Sequence, residues 1–335
     1  MMPDDLTEAI HRCLVVGFDR PAIPDGLKRL LDRGLGGVIL HTRNIADAER
    51  LRDLTDELRA HRPDLLIGID QEGAGIGHLA RAKVPDSPGS WALGAADDTA
   101  LTAAMAGALA AHLAALGVTV EYAPVADVQR EPANPIVRTR AFGSDPELVA
   151  RHVTAWTEAT LAAGVAACAK HFPGHGSTTI DSHMSTAVDA RDLATIRSLD
   201  VVPFEAAIAA GVPLVMTAHV VYPALDTRPA TLSHRILSGL LRDDLGYQGV
   251  IVTDALEMKA IADEVGEADG SWMALAAGAD QLIVAEPDPD LVAARPDAVL
   301  VATGLPDAGA GLCSFGRGRV NLIATAELLA GVEPR

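Results

Sequence analysis

Short apolar runs recur along the chain, separated by stretches whose hydrophobic residues are spaced by three and four. The runs are Cys13–Phe18, Gly37–Leu40, Leu65–Ile69, Val118–Val125, Val165–Ala169, Leu214–Met216, Val250–Val252 and Gln281–Val284. They are apolar at successive positions and not merely at alternate ones, as strands buried on both faces are. Between them, Leu51, Leu54 and Leu58 share one face of a helix, as do Val149, Val153 and Trp156. Repeated strand–helix units of this kind predict a parallel sheet, and eight of them predict closure into an α/β fold, a (β/α)8 barrel of TIM type. The alanine-rich segment Leu101–Val120 carries Thr102 and His112. It predicts a buried helix running into a strand, not a membrane span.

Polar residues stand at the carboxyl end of each run: Asp19; His41, Arg43 and Asn44; Asp70, Gln71 and Glu72; Asp127; Lys170 and His171; His219; Asp254; and Glu286. In a closed parallel barrel these strand ends converge on one face, where such proteins build their sites. An open doubly wound sheet scatters several of them and ranks second. No glycine-rich phosphate fingerprint comes after the first run, which ends Gly17-Phe18-Asp19.

The densest chemistry lies between positions 170 and 183, where Lys170, His171, His175, Asp181 and His183 crowd around Phe172-Pro173-Gly174. Polar groups gathered at the end of a buried strand need partners, and a cluster of them points to a task. The expectation is that they sit on the loop leaving that strand. Asp254, at the tip of the seventh strand, adds a carboxylate on a rigid element. Alone it also reads as a helix N-cap before Ala255-Leu256-Glu257-Met258. A carboxylate nucleophile facing a titratable group on a loop suits retaining glycoside hydrolysis. Asp181 and His183 are two residues apart, so in extended backbone both side chains point the same way and the aspartate supports the imidazolium.

Composition narrows the partners. Forty-five acidic against 27 basic residues give a formal charge of −18 over 335 residues, which repels phosphate backbones and anionic lipid. Nucleic acid and membrane are therefore not expected as partners. Cys13, Cys168 and Cys313 are few and far apart, so neither a disulfide framework nor a cysteine zinc site is expected. The acidic start Met1-Met2-Pro3-Asp4-Asp5 lacks the order of a secretory signal. The expected setting is the cytoplasm, with the protein a monomer or homodimer acting on a small glycoside or glycan fragment.

Five segments together resemble the β-N-acetylglucosaminidase branch of family 3 glycoside hydrolases: Ile69-Asp70-Gln71-Glu72-Gly73, Ala123 to Val128, Arg140-Ala141-Phe142-Gly143, Lys170 to His183, and Val252 to Met258. The resemblance covers residues 12–286. It implies a retaining, exo-acting β-N-acetylhexosaminidase with Asp254 as nucleophile, His183 as acid/base and Asp181 as its support. It further implies that Asp70, Arg140, Lys170 and His171 hold the sugar, with no metal and no organic cofactor.

The chain departs from that pattern after Gly73. The family usually continues with glycine, arginine, valine and a second arginine three residues beyond the first. Here Ala74-Gly75-Ile76-Gly77-His78 stands instead, without either arginine. His78 is then a candidate sugar-binding residue in place of the second. Residues 1–286 are read as the catalytic barrel. Residues 287–335 are read as a C-terminal extension, with Val301–Leu329 resembling the closing part of a second α/β domain. Other readings stand beside the leading one: a glycosidase or phosphorylase of altered sugar specificity, a glycan-binding pseudoenzyme, and a metal-dependent barrel hydrolase using His171, His175, Asp181 and His183.

Overall fold

A computed structural model describes residues 4–182 and 185–285. Eight parallel strands close into a barrel in sequence order: β1 (Leu14–Val16), β2 (Gly37–Leu40), β3 (Leu66–Ile69), β4 (Val120–Glu121), β5 (Ala166–Phe172), β6 (Leu214–Thr217), β7 (Val250–Ala255) and β8 (Gln281–Val284), with β8 returning to pair with β1. Each strand coincides with one of the expected apolar runs. The proposed extension beyond Glu286 lies outside the described residues.

The strands are apolar on both faces because both faces are buried. Val15, Ile39, Val120, Cys168, Leu214, Met216, Val252 and Ile283 pack together inside the barrel. Their neighbours Leu14, Val16, Val38, Leu40, Val215, Ile251 and Leu282 face the surrounding helices. Helices Ala48–His61 and Pro146–Ala162 bury the residues whose spacing identified them, Leu51, Leu54 and Leu58 on one and Val149, Val153 and Trp156 on the other. Thr99–Ala115 is the expected alanine-rich helix before β4. Among the described residues, no helix is long and apolar enough to cross a membrane.

Two boundaries differ from expectation, and both differences matter to the site. β4 stops at Glu121 although the apolar run continues to Val125. Pro124 has no amide hydrogen to give a neighbouring strand, and pairing resumes only as a single bridge between Val125 and Lys170. β5 runs on through Lys170 and His171 to Phe172, so these two residues stand on the strand and not on the loop after it. The pairing of β5 with β6 shifts register between Ala169 and Phe172, and that of β7 with β8 shifts between Val252 and Ala255. Such irregularities re-aim side chains at strand ends.

One buried acid belongs to the scaffold. Glu121 points outward from β4, where its Oε2 accepts hydrogen bonds from Trp156 Nε1 and Thr160 Oγ1, each at 3.1 Å. Burial pushes its carboxyl up to about 8, against weaker opposition from those two donors. A carboxyl raised on folding contributes stability that is complete below its unfolded value near 4.5 and is lost as pH climbs towards 8, at about 1.4 kcal/mol per pH unit. Glu121→Gln should therefore raise the melting temperature at pH 7.5 and change it little at pH 4.5. Parallel thermal melts at the two pH values check this.

Candidate active site

A cavity of about 560 Å3 opens at the carboxyl end of the barrel. Its floor is the last layer of the barrel interior, Ile39, Met216, Ile283 and Ala285. Its walls carry Asp70 and Glu72 after β3, Arg140 from the segment after β4, Lys170 and His171 on β5, and Asp254 on β7.

The two cations of the wall are held by carboxylates. Lys170 is only 1% exposed, and its Nζ lies 2.5 Å from Asp70 Oδ1 and 2.6 Å from Glu72 Oε1. Arg140 donates to Glu72 in a fork, Nε to Oε2 and Nη2 to Oε1, both at 2.7 Å. Burial alone pushes the Glu72 carboxyl up, but Arg140 and Lys170 more than reverse this and hold it well below the usual range. Burial likewise works against the Lys170 charge, and Asp70 and Glu72 overcome it, so the ammonium persists. Asp70 and Glu72 flank one strand residue, which puts both on the same side of extended backbone.

A second carboxylate orients the histidines. Asp127 is fully buried, and its Oδ2 lies 2.7 Å from His171 Nδ1 while its Oδ1 accepts the His175 amide at 2.7 Å. His175 has Nδ1 on Thr178 Oγ1 at 2.8 Å and Nε2 on Ser182 Oγ at 3.0 Å. Burial lowers its imidazole to about 4, so the ring is neutral at neutral pH. It spans the loop that leads to Asp181. The base of this loop is fastened by backbone: Gly176 O accepts from the Arg130 and Glu131 amides, and the Tyr222 hydroxyl donates to Gly174 O. Position 176 needs glycine, since a Cβ there would lie 1.9 Å from Val128 O.

Asp254 sits at the end of β7 with Oδ1 accepting the Ala255 amide at 2.8 Å. It is a strand residue and not a helix cap, because the next helix begins only at Lys259 and its N-cap is Met258. His219 steadies this strand end: Nε2 lies 3.0 Å from Ala255 O, and Nδ1 lies 2.7 Å from Thr231 Oγ1. A carbonyl needs a donor, so Nε2 carries a proton.

The sequence that builds this pocket matches a known family. Residues 21–302 match the Glycosyl hydrolase family 3 N terminal domain. The chain belongs to glycoside hydrolase family 3. This family 3 chain is 36% identical over 281 residues to a β-hexosaminidase A from Pseudoalteromonas piscicida, covering 77% of this chain and 47% of that protein, so it spans about half of that relative. It is 38% identical over 260 residues to a β-hexosaminidase from Stenotrophomonas maltophilia (strain R551-3), covering 76% of this chain and 77% of that one. Its fold superposes on a family 3 β-N-acetylglucosaminidase from Paenibacillus sp. str. FPU-7 with a TM-score of 0.81 and 34% identity, covering 96% of this chain and 67% of that one. NagZ from Neisseria gonorrhoeae, solved with N-trifluoroacetyl-D-glucosamine, gives a TM-score of 0.79 and 30% identity over 94% of this chain and 88% of that one.

The sequence-derived candidates of this family 3 chain divide into groups. Asp70, His78, Arg140, Lys170, His171 and Asp254 all line the pocket. Asp181 does not, although its neighbour Ser182 does. His183 lies outside the described residues, as does Glu286. The extended backbone expected from Asp181 to His183 therefore runs beyond the described residues, and the Ser185 amide donates to Asp181 O at 3.1 Å. Asp19 is exposed and paired with Arg20, away from the pocket. Arg43 and Asn44 donate to Phe18 O and serve as loop staples. His78 has Nδ1 2.9 Å from Thr42 Oγ1 and an edge-on contact with the His41 ring, and burial lowers its imidazole below the ordinary value. In the alternative metal set, His171 Nδ1 and both His175 nitrogens face the partners named above. Among the described residues, no group of three or more His, Cys, Asp or Glu is placed to hold a metal ion. Glu257, Met258 and Lys259 also line the pocket. They come soon after Asp254 in the chain, and that adjacency was the signal available for them.

Proposed function

We propose that this chain is an exo-acting, retaining β-N-acetylhexosaminidase that releases terminal N-acetylglucosamine or a related sugar. The observation that carries the reading is Asp254, a carboxylate on a rigid strand end. It forms one wall of a pocket whose other walls are the network of Asp70, Lys170, Glu72 and Arg140. A pocket floored by barrel side chains suits a terminal sugar, and relatives named as β-hexosaminidases support the choice of sugar.

In this reading the Asp254 carboxylate attacks the anomeric carbon as the bond to the leaving oxygen breaks, and the His183 imidazolium gives that oxygen its proton. The neutral imidazole then takes a proton from water. The water oxygen displaces Asp254, and the sugar leaves with its configuration retained. Asp181 supports the imidazolium, while Asp70, Lys170, Arg140, His171 and His78 hold hydroxyl and N-acetyl groups. The substrate is a small glycoside or glycan fragment, met in the cytoplasm by a monomer or homodimer. The −18 charge supports a substrate without a strongly anionic backbone.

A panel of p-nitrophenyl β-glycosides tests the reading, with the N-acetylglucosaminide expected to turn over fastest. His183→Ala should slow glycosides with poor leaving groups far more than p-nitrophenyl glycosides, since only the former need protonation in the first step. Equal losses across leaving groups would remove His183 from the acid/base role. Preference for the glucoside would change the sugar.

A further inference from the structure

Asp254 stands where the hydrogen-bond ladder of the barrel gives out. β7 pairs with β6 through Val250, Ile251 and Val252, and β6 ends at Thr217. The next amide, that of Ala218, turns away to Phe172 O on β5. On its other side β7 shifts register against β8 between Val252 and Ala255, and the Ile283 amide takes Thr253 Oγ1 as its acceptor at 3.0 Å. Backbone pairing with β8 resumes at Leu256, whose amide donates to Ile283 O at 3.1 Å. On the β6 side, Asp254 lies beyond the last paired residue.

A side chain fills that gap. His219, two residues past the end of β6, is 1% exposed, and its Nε2 donates to Ala255 O at 3.0 Å. The same carbonyl accepts the Met258 amide at 3.2 Å, so both of its lone pairs are used. The Ala255 amide meanwhile binds Asp254 Oδ1. Fixing Ala255 therefore fixes the carboxylate that its amide holds. The imidazole is itself held from behind: Nδ1 lies 2.7 Å from Thr231 Oγ1, which lies 2.7 Å from Thr217 Oγ1 and 3.1 Å from Ala218 O. Both threonines are fully buried. Buried imidazoles satisfied at both nitrogens are ordinary, and packing alone accounts for many of them. His219 differs in its acceptor, the carbonyl of the residue after Asp254, at the point where pairing with β6 has ended.

We propose that His219 is a positioning residue for the nucleophile, standing in for the missing β6 backbone donor and holding Asp254 on its line of attack. The proposal rests on the reading above in which Asp254 attacks the anomeric carbon. A reacting group misplaced by ~1 Å costs about a hundredfold in rate. Two substitutions separate this role from packing. The amide nitrogen of glutamine falls near the place of Nε2 and that of asparagine near the place of Nδ1, so His219→Gln keeps a donor for Ala255 O and His219→Asn does not. With p-nitrophenyl N-acetylglucosaminide, kcat/KM reports the attack, and inhibition by free N-acetylglucosamine reports ground-state binding. His219→Asn should lower kcat/KM by about a hundredfold with the inhibition constant within about twofold of the wild type, and His219→Gln should recover most of the loss. Equal losses in the two variants, a loss matched in the inhibition constant, or a His219→Asn protein at the wild-type rate would each overturn the proposal. If His219→Asn does not fold, Thr231→Val, which keeps the donor and removes a group that orients it, should show the same split at smaller size; a Thr231→Val protein at the wild-type rate would then overturn it. Failure of the wild type to cleave the p-nitrophenyl glycoside, or a covalent sugar label on a residue other than 254, would instead overturn the reading of the site, and the positioning role with it.

Discussion

Asp254→Asn should abolish turnover of every substrate while leaving the melting temperature close to that of the wild type. The amide is a poor nucleophile and forms no stable glycosyl ester, so the loss should reach several orders of magnitude in kcat. The fold should tolerate the change because the carboxamide oxygen still accepts the Ala255 amide that Asp254 Oδ1 accepts at 2.8 Å. A 2-fluoro sugar with a good leaving group should trap the covalent intermediate on the wild-type protein, and peptide mapping should find the label on residue 254. A label on Asp70 or Glu72 would reassign the nucleophile.

The second large effect concerns stability as well as catalysis. Glu72 is 2% exposed and stands between two cations, the partly buried Arg140 and the buried Lys170. Glu72→Gln removes the charge that both rely on and leaves them facing each other. Breaking a buried ion pair from one side costs about 3–5 kcal/mol, roughly 4–8 °C in Tm for a chain of this length. The lowered carboxyl sets the sign with pH. Its stabilisation is complete above the unfolded value near 4.5 and is lost as pH falls through the folded value. The gap between wild type and variant should therefore be full at pH 7 and narrow in strong acid. Melts from pH 7 down to pH 3 check this, and a gap that stays constant would mean that the carboxylate is not what stabilises the cluster.

The barrel was legible because its strands are buried on both faces, which leaves uninterrupted apolar runs such as Gly37–Leu40 and Leu214–Met216. Edges were less so. The run at Val118–Val125 gave no sign that pairing would stop at Glu121, although Pro124 was there to be weighed. The placement of Lys170 and His171 on β5 depends on a register shift against β6, which no local pattern encodes. The polar strand ends pointed to the right mouth, yet partners within it are set by residues far apart in the chain. Arg140 meets Glu72 across 68 positions, and His78 meets Thr42 across 36. The extended backbone expected from Asp181 to His183 runs beyond the described residues.

The pocket's walls come from separate connections, each rooted in its own strand: the Gln71–Gly77 hairpin after β3, the Gly174–Ser182 loop after β5 and Asp254 at the end of β7. The hairpin keeps its sharp turn with Ala74 at φ +50° and Gly75 at φ +93°, and a Cβ at position 75 would meet nothing within 4 Å. Neither residue supports the β5 or β7 machinery, so mutation can rewrite the hairpin tip while Glu72, which holds Lys170, and the reacting groups stay fixed. Substrate choice and bond cleavage are thus inherited as separable parts, and a lineage can trade one sugar or leaving group for another through a handful of hairpin substitutions without first losing its catalyst.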